Sequence, residues 1–209
     1  MYHKYSDEEG KFLVQLARET IEKYVRERKK LDVPNTVSDK LRRHSGVFVT
    51  INKLQDSKVA LRGCIGRPYP SDPLVRATID SAVDASSRDP RFNPVSEKEL
   101  DSIVVELSVL TPPKKIDYSN PDDLPEKIEI GRDGLIVSKG MQKGLLLPQV
   151  PVEYGWTTKE FIIHTCQKAR LRLDAWKDPN VEFHAFQAEI FGEKSPNGPI
   201  IRNPEHPRC

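Results

Sequence analysis

Two β-rich runs, VFVTINKL (47–54) and KVALRGCI (58–65), are separated by only three polar residues, QDS. So short a link between runs rich in valine, isoleucine and leucine predicts a β-hairpin. It also forces the second run to carry an arginine, a cysteine and two glycines, LRGCIG (61–66), inside or at the end of a strand. Side chains alternate between the two faces of a strand. Val59, Leu61 and Ile65 are thus expected on one apolar face, with Arg62 and Cys64 together on the other.

The rest of the chain is organised around that hairpin. Ser6 and Glu9 form a capping box, so a helix is expected from about residue 7, burying Leu13, Leu16, Ala17, Ile21 and Tyr24. After the hairpin, Ser71 is expected to cap a helix with Pro73 in its first turn and Leu74, Val75, Thr78, Ile79, Ala82 and Val83 inward. SRDPRFNP (87–94) reads as a loop, Ser96 with Glu99 as a short helical turn, and SIVVELSVLT (102–111) as a strand stopped by two prolines.

Beyond a polar link the pattern restarts. KIEIG and GLIVSKG around the turn RD predict a second hairpin, and GLLLPQV (144–150) a short extended run. Thr157 with Glu160 is a further capping box, before a helix expected to bury Ile162, Cys166, Ala169 and Leu173. VEFHAFQAEIFG (181–192) predicts a closing strand, and the proline-rich tail an irregular end. Both halves run hairpin, capped helix, strand. The expectation is an α+β fold: two β-rich subdomains as a pseudo-repeat, mostly antiparallel, about 1–113 and 114–209, with a cleft between them.

Composition narrows the function classes. Lys and Arg number 33 against 31 Asp and Glu, a net charge of +2, which gives no strong attraction to nucleic acid or anionic lipid. No apolar run approaches the roughly 20 residues that span a bilayer. Three widely spaced cysteines, Cys64, Cys166 and Cys209, make neither a disulfide framework nor a zinc pattern. A cytoplasmic location is the expectation.

The chemistry-bearing candidates begin at Arg62 and Cys64. Two strand rises put their Cα atoms about 6.6 Å apart. At that distance a guanidinium favours a thiolate by on the order of 2 kcal/mol, which makes Cys64 a candidate nucleophile with Arg62 as support. Gly63 and Gly66 mark a bend or a close approach by a ligand or a second backbone. Packing of Cys64 into a tight corner is the alternative reading. In DPRF (89–92), Asp89 can orient Arg62 or a substrate and Arg91 can bind a carboxylate or phosphate in two-pronged fashion; a plain loop ion pair is the alternative. Gln149 in LLPQV must hydrogen-bond something, either backbone or ligand. Tyr154 and Trp156 in EYGW precede a helix start that can receive an anion, or else pack into the core. His164 and Cys166 point apart on their helix, and Cys166 belongs to the apolar stripe.

LRGCIG, DPRF, SVLTP, LLPQV, EYGW and CQKA, in that order, resemble the AMMECR domain family over about residues 10–192, with LRGCIG the specific signature. The helix reads CQKARL, with Arg170 where the family pattern has glycine. The resemblance implies a cytosolic α+β protein, a pseudo-repeat with a cleft, and an unassigned reaction and cofactor. It also implies Memo-like proteins and radical S-adenosylmethionine enzymes as partners in a modification pathway. It carries over Arg62, Gly63, Cys64 and Gly66 from the signature, Asp89 and Arg91 from the loop, and Gln149 and Trp156 from the second half. The two functional expectations are a thiol enzyme built on Cys64, and a binding module for a small anion or a partner protein. RNA binding is disfavoured by the balanced charge and the lack of a recognised RNA-binding motif.

Overall fold

A computed structural model describes residues 5–55 and 58–203 of the chain. They divide into two compact units, one formed by the chain up to Leu110 together with the segment from Glu189 onward, the other by Thr111–Ala188.

The first unit starts with α1 (Asp7–Glu27), held by the expected Ser6–Glu9 capping box. The hairpin strands β1 (Gly46–Gln55) and β2 (Lys58–Arg67) pair antiparallel, with the turn residues 56–57 outside the described residues. Helix α2 (Leu74–Ser87) follows, then a 3-10 turn (Glu97–Ser102) and β3 (Ile103–Leu110). Pro73 rather than Ser71 stands at the N-cap of α2, with no side-chain cap; the Ser71 hydroxyl donates to Asp72 instead. Strand β3 pairs antiparallel with β1 on the side away from β2. One face of this three-strand core, with Val47, Val49, Ile51, Ile103, Val105, Leu107 and Val109, buries against Leu13, Val14, Ala17 and Ile21 of α1 and Leu74, Ala77, Ala82 and Ala85 of α2. Each fully buried aliphatic side chain contributes roughly 1.5–3 kcal/mol, so this layer holds the unit together.

The second unit repeats that topology. A two-residue strand β4 (Lys114–Lys115) precedes the hairpin of β5 (Gly134–Lys139) and β6 (Gln142–Leu146). A single turn α3 (Val150–Glu153), helix α4 (Thr158–Lys168) and strand β7 (Glu182–Phe186) follow. The sheet order β4-β7-β5-β6 contains β7-β5-β6, the counterpart of β3-β1-β2. In each unit the first hairpin strand lies between its partner and the strand that follows the helix. The core gathers Leu124, Leu135, Val137, Phe161, Ile162, Cys166, Trp176 and Phe183.

Four expectations are corrected. The second hairpin turns at Gly140–Met141, with Lys139 opposite Gln142; KIEIG is not a strand, and its Ile128 and Ile130 pack into the core instead. Gly140 adopts φ +57°, the left-handed conformation that a two-residue hairpin turn needs. VEFHAFQAEIFG is two strands in different sheets: β7 stays in the second, and β8 (Ala188–Glu193) joins the first. The tail adds β9 (Ile200–Arg202) beside β8. Finally, α4 stops at Lys168, so Leu173 is exposed rather than buried.

Candidate functional site

The LRGCIG strand departs from simple alternation. Gly63 lies opposite Ile51 and Leu61 opposite Asn52, so Arg62 is an extra residue, a β-bulge. A bulge shifts every side chain beyond it to the other face. Leu61 therefore shares a face with Cys64, and Arg62 does not. The Arg62 guanidinium turns to Glu99 (2.8 and 3.1 Å) and to the carbonyls of Asn93 and Pro94. Lys53, from the helix-side face of β1, reaches the same carboxylate. The hydrogen bond from Arg62, with others from Ser96, outweighs burial and holds the Glu99 carboxyl far below the usual carboxylate range. The expected pairing of Arg62 with Cys64 is thus replaced by an Arg62–Glu99 ion pair that staples the strand to the 3-10 turn.

Both glycines answer to close approach. A β-carbon on Gly63 would stand 2.2 Å from the Ala85 carbonyl oxygen, where α2 crosses the strand. One on Gly66 would stand 2.4 Å from the Phe48 ring and from the Val47 carbonyl oxygen.

The DPRF loop closes on the same strand. Strand β2 lies at the edge of its sheet, with no strand on its outer side among the described residues. Asp89 accepts from the Cys64 N–H at 2.8 Å, and Arg91 donates to the Cys64 carbonyl at 3.3 Å. Arg91 also grips Asp89 at 2.8 and 3.0 Å. Burial alone would raise the Asp89 carboxyl, but its bonds from Arg91 and Cys64 outweigh burial and hold it below the usual range. Acid and base together imitate a neighbouring strand. Cys64 itself is buried and disulfide-bonded in this structure, so a thiolate role applies to the reduced protein. The free cysteine among the described residues is Cys166, whose thiol burial pushes up to about 11.

The strand register then shows what Cys64 does face. Thr50 lies opposite Cys64 on one side and opposite Glu106 on the other. The Thr50 hydroxyl donates to the Cys64 sulfur at 3.4 Å. Cys64, Thr50 and Glu106 thus form one row across three strands, on the face turned away from the helices. Asn52 and Ser108 occupy the neighbouring rows of that face. All five are buried: Cys64 6%, Thr50 1%, Asn52 0%, Glu106 0% and Ser108 1% exposed. The row can accept and donate hydrogen bonds, and it holds a carboxylate; the Arg62 guanidinium does not join it.

Sequence reading missed these residues, although the signal was present. In VFVTINKL and SIVVELSVLT, Thr50 with Asn52 and Glu106 with Ser108 stand two positions apart, each pair interleaved with aliphatic residues. That is the mark of a polar sheet face.

The candidates of the second unit are described by themselves. Gln149 is 7% exposed, and neither end of its carboxamide has a partner among the described residues. Trp156 stacks between Tyr154 (4.9 Å) and His164 (3.9 Å). The expected anion-receiving start of α4 is filled by its own capping box: Thr157 accepts from the Glu160 N–H, and Glu160 accepts from the Thr157 N–H. Among the described residues no group of three or more His, Cys, Asp or Glu could hold a metal ion, and no helix is long and apolar enough to cross a membrane.

Two small units, each an antiparallel hairpin, a helix and a third strand returning beside the first, define a class of α+β pseudo-repeat proteins with the LRGCIG strand at the edge of one sheet. The AMMECR1 family model matches residues 14–191, and the chain belongs to that family. A protein of Thermococcus gammatolerans is 51% identical over 203 residues, covering 97% of this chain and 98% of that one. Protein PH0010 of Pyrococcus horikoshii is 51% identical over 205 residues, covering 98% and 99%. The crystal structure titled uncharacterized protein PH0010 superposes with a TM-score of 0.92 at 50% identity, over 97% of this chain and all of that one.

Proposed function

We propose that the chain is a cytoplasmic binding module that holds a small polar ligand on the helix-distal face of its first sheet, beside the LRGCIG strand. The observation that carries this reading is the Cys64–Thr50–Glu106 row with Asn52 and Ser108, buried polar groups at mid-strand. Burying polar side chains there costs stability that aliphatic residues would not. Such departures from a consistent fold concentrate at functional sites.

The arginine pairing favours a neutral ligand over the small anion expected at first. Arg62 and Arg91 are committed to Glu99 and Asp89. A thiol enzyme is the second reading, supported by the Thr50 hydroxyl on the Cys64 sulfur. It requires reduction first. For a modification pathway shared with Memo-like and radical S-adenosylmethionine proteins, family membership is the support.

A thermal-shift screen of neutral, cationic and anionic polar metabolites tests the binding reading. Wild type is compared with Thr50→Val combined with Glu106→Gln, and with Arg62→Ala. Compounds that stabilise wild type but not the row variant support it. Compounds that act equally on both, or anions lost only on Arg62→Ala, sink it. Iodoacetamide labelling of Cys64 after reduction, with a thiol pKa well under about 8.5, would favour the enzyme.

A further inference from the structure

One carboxamide on the polar face has no hydrogen-bond partner among the described residues. Asn52 is completely buried, and neither its Nδ2 nor its Oδ1 finds a partner among the described residues. Ser108 Oγ, two rows along the same face, is in the same state. A buried polar group left unsatisfied forfeits hydrogen bonds it made to water in the unfolded chain. Valine at position 52 would suit a central strand and avoid that loss.

We propose that Asn52 determines the ligand class of the site: it pairs with a planar amide edge in which N–H and C=O lie on the same side, as in a primary amide, a lactam or the amide edge of a nucleobase. This inference rests on the binding reading above and deepens it. A carboxamide offers one donor beside one acceptor, and a syn amide edge returns the complement, making two parallel hydrogen bonds. A carboxylate offers only acceptors, so it leaves Oδ1 facing an acceptor. A guanidinium offers only donors and leaves Nδ2 opposed. A trans peptide bond points its N–H and C=O to opposite edges, so it satisfies one end of Asn52 and not the other.

Asn52 is closed off from solvent, so ligand entry requires local opening, and pairing is read at equilibrium. The probes are acetamide and 2-pyrrolidone at tens of millimolar, against N-methylacetamide (trans), acetate and acetone. The readout is the side-chain NH2 cross-peaks of Asn52, assigned by their loss in Asn52→Val. We expect saturable shifts with acetamide and 2-pyrrolidone, and none with the other three. We also expect Asn52→Val to raise the melting temperature of the ligand-free protein by about 2–4 °C, the scale of one hydrogen bond in a chain of this size. Asn52→Ala serves as the second variant should valine overpack.

Equal shifts with all five probes, or none with any, overturn the inference. So does a crystal structure in which ordered water satisfies both ends of Asn52 while both variants lose stability. If compounds found in the metabolite screen still stabilise Asn52→Val as they do wild type, the amide specificity fails while the binding reading stands. If they are equally indifferent to Thr50→Val with Glu106→Gln, the binding reading fails too.

Discussion

The Asp89 carboxylate takes the Cys64 backbone N–H at 2.8 Å, from 25 positions further along the chain. This contact, with the Arg91 bond to the Cys64 carbonyl, ties the edge of the first sheet to the loop behind α2. Asp89 is 4% exposed, so little solvent screens the interaction. Asp89→Asn keeps one acceptor but loses the charge that draws in Arg91. Hydrogen bonds to charged groups are worth about 1.5–3 kcal/mol each. The variant is expected to lower the urea midpoint accordingly, with the earliest loss of amide-exchange protection at Cys64. Unchanged protection at that amide would show that the clamp is dispensable.

The same ion pairs set an acid limb of stability. The Asp89 and Glu99 carboxyls are both held below their ordinary values in the folded chain, whereas the unfolded chain titrates near 3.9 and 4.3. The unfolded state therefore binds more protons as pH drops below about 5. The stabilisation is fully present above that range and is lost as pH falls toward the folded values. Urea unfolding between pH 6 and pH 3 should show wild type losing stability faster than Asp89→Asn or Glu99→Gln. Parallel slopes would remove these two groups from the acid response.

Gly63 is required by proximity rather than by backbone angle. An alanine β-carbon would meet the Ala85 carbonyl oxygen at 2.2 Å. Backbone cannot yield as a flexible side chain would, so α2 or β2 must shift, at a cost of about 1–3 kcal/mol. Gly63→Ala should lower the melting temperature by several degrees, whereas the exposed Ala60→Gly in the same strand should cost less than 1 kcal/mol. Equal losses would mean that α2 accommodates the methyl group.

Much of the fold could be read from the sequence, because its signals are local. Capping boxes at Ser6 and Thr157, the 47–65 hairpin and the hairpin–helix–strand order all rest on residues within a few positions of one another. What was lost depends on long-range geometry. The bulge at Arg62 exists because Glu99 and the carbonyls of residues 93 and 94 hold the guanidinium, and none of these is near it in sequence. Simple alternation puts Arg62 and Cys64 on one face, and that single extra residue separates them. The Cys64–Thr50–Glu106 row needed the register of three strands, although the alternating Thr50, Asn52, Glu106 and Ser108 were there to be noticed. The split of 181–192 between two sheets has no local signal at all.

Cys166 offers a contrast with Cys64. It is fully buried in the second core, and burial pushes its thiol up to about 11. A thiolate fraction this small, in a site closed to reagent, makes it inert. Native protein at pH 8 should leave Cys166 unmodified by N-ethylmaleimide over hours, and denaturant should expose it at once. Labelling at a rate independent of denaturant would place the thiol at the surface.

Arg170 carries the one departure from the family pattern, and the structure explains what glycine does there. Helix α4 ends with the Leu171 N–H bonding back to the Cys166 carbonyl, and Arg170 between them adopts φ +57°. This is the left-handed residue that closes a helix, a position where glycine has no β-carbon to strain. For other residues the conformation costs about 1–2 kcal/mol, and glycine's larger unfolded entropy offsets part of that gain. The carbonyl of residue 170, which accepts from Gln142, is retained in any variant. Arg170→Gly is therefore expected to stabilise the chain by about 1 kcal/mol, raising the melting temperature by about 2–4 °C, with Arg170→Asn intermediate and Arg170→Val destabilising. The ordering across the three variants carries the test: a valine variant as stable as the glycine one would mean that the left-handed turn is not what ends the helix.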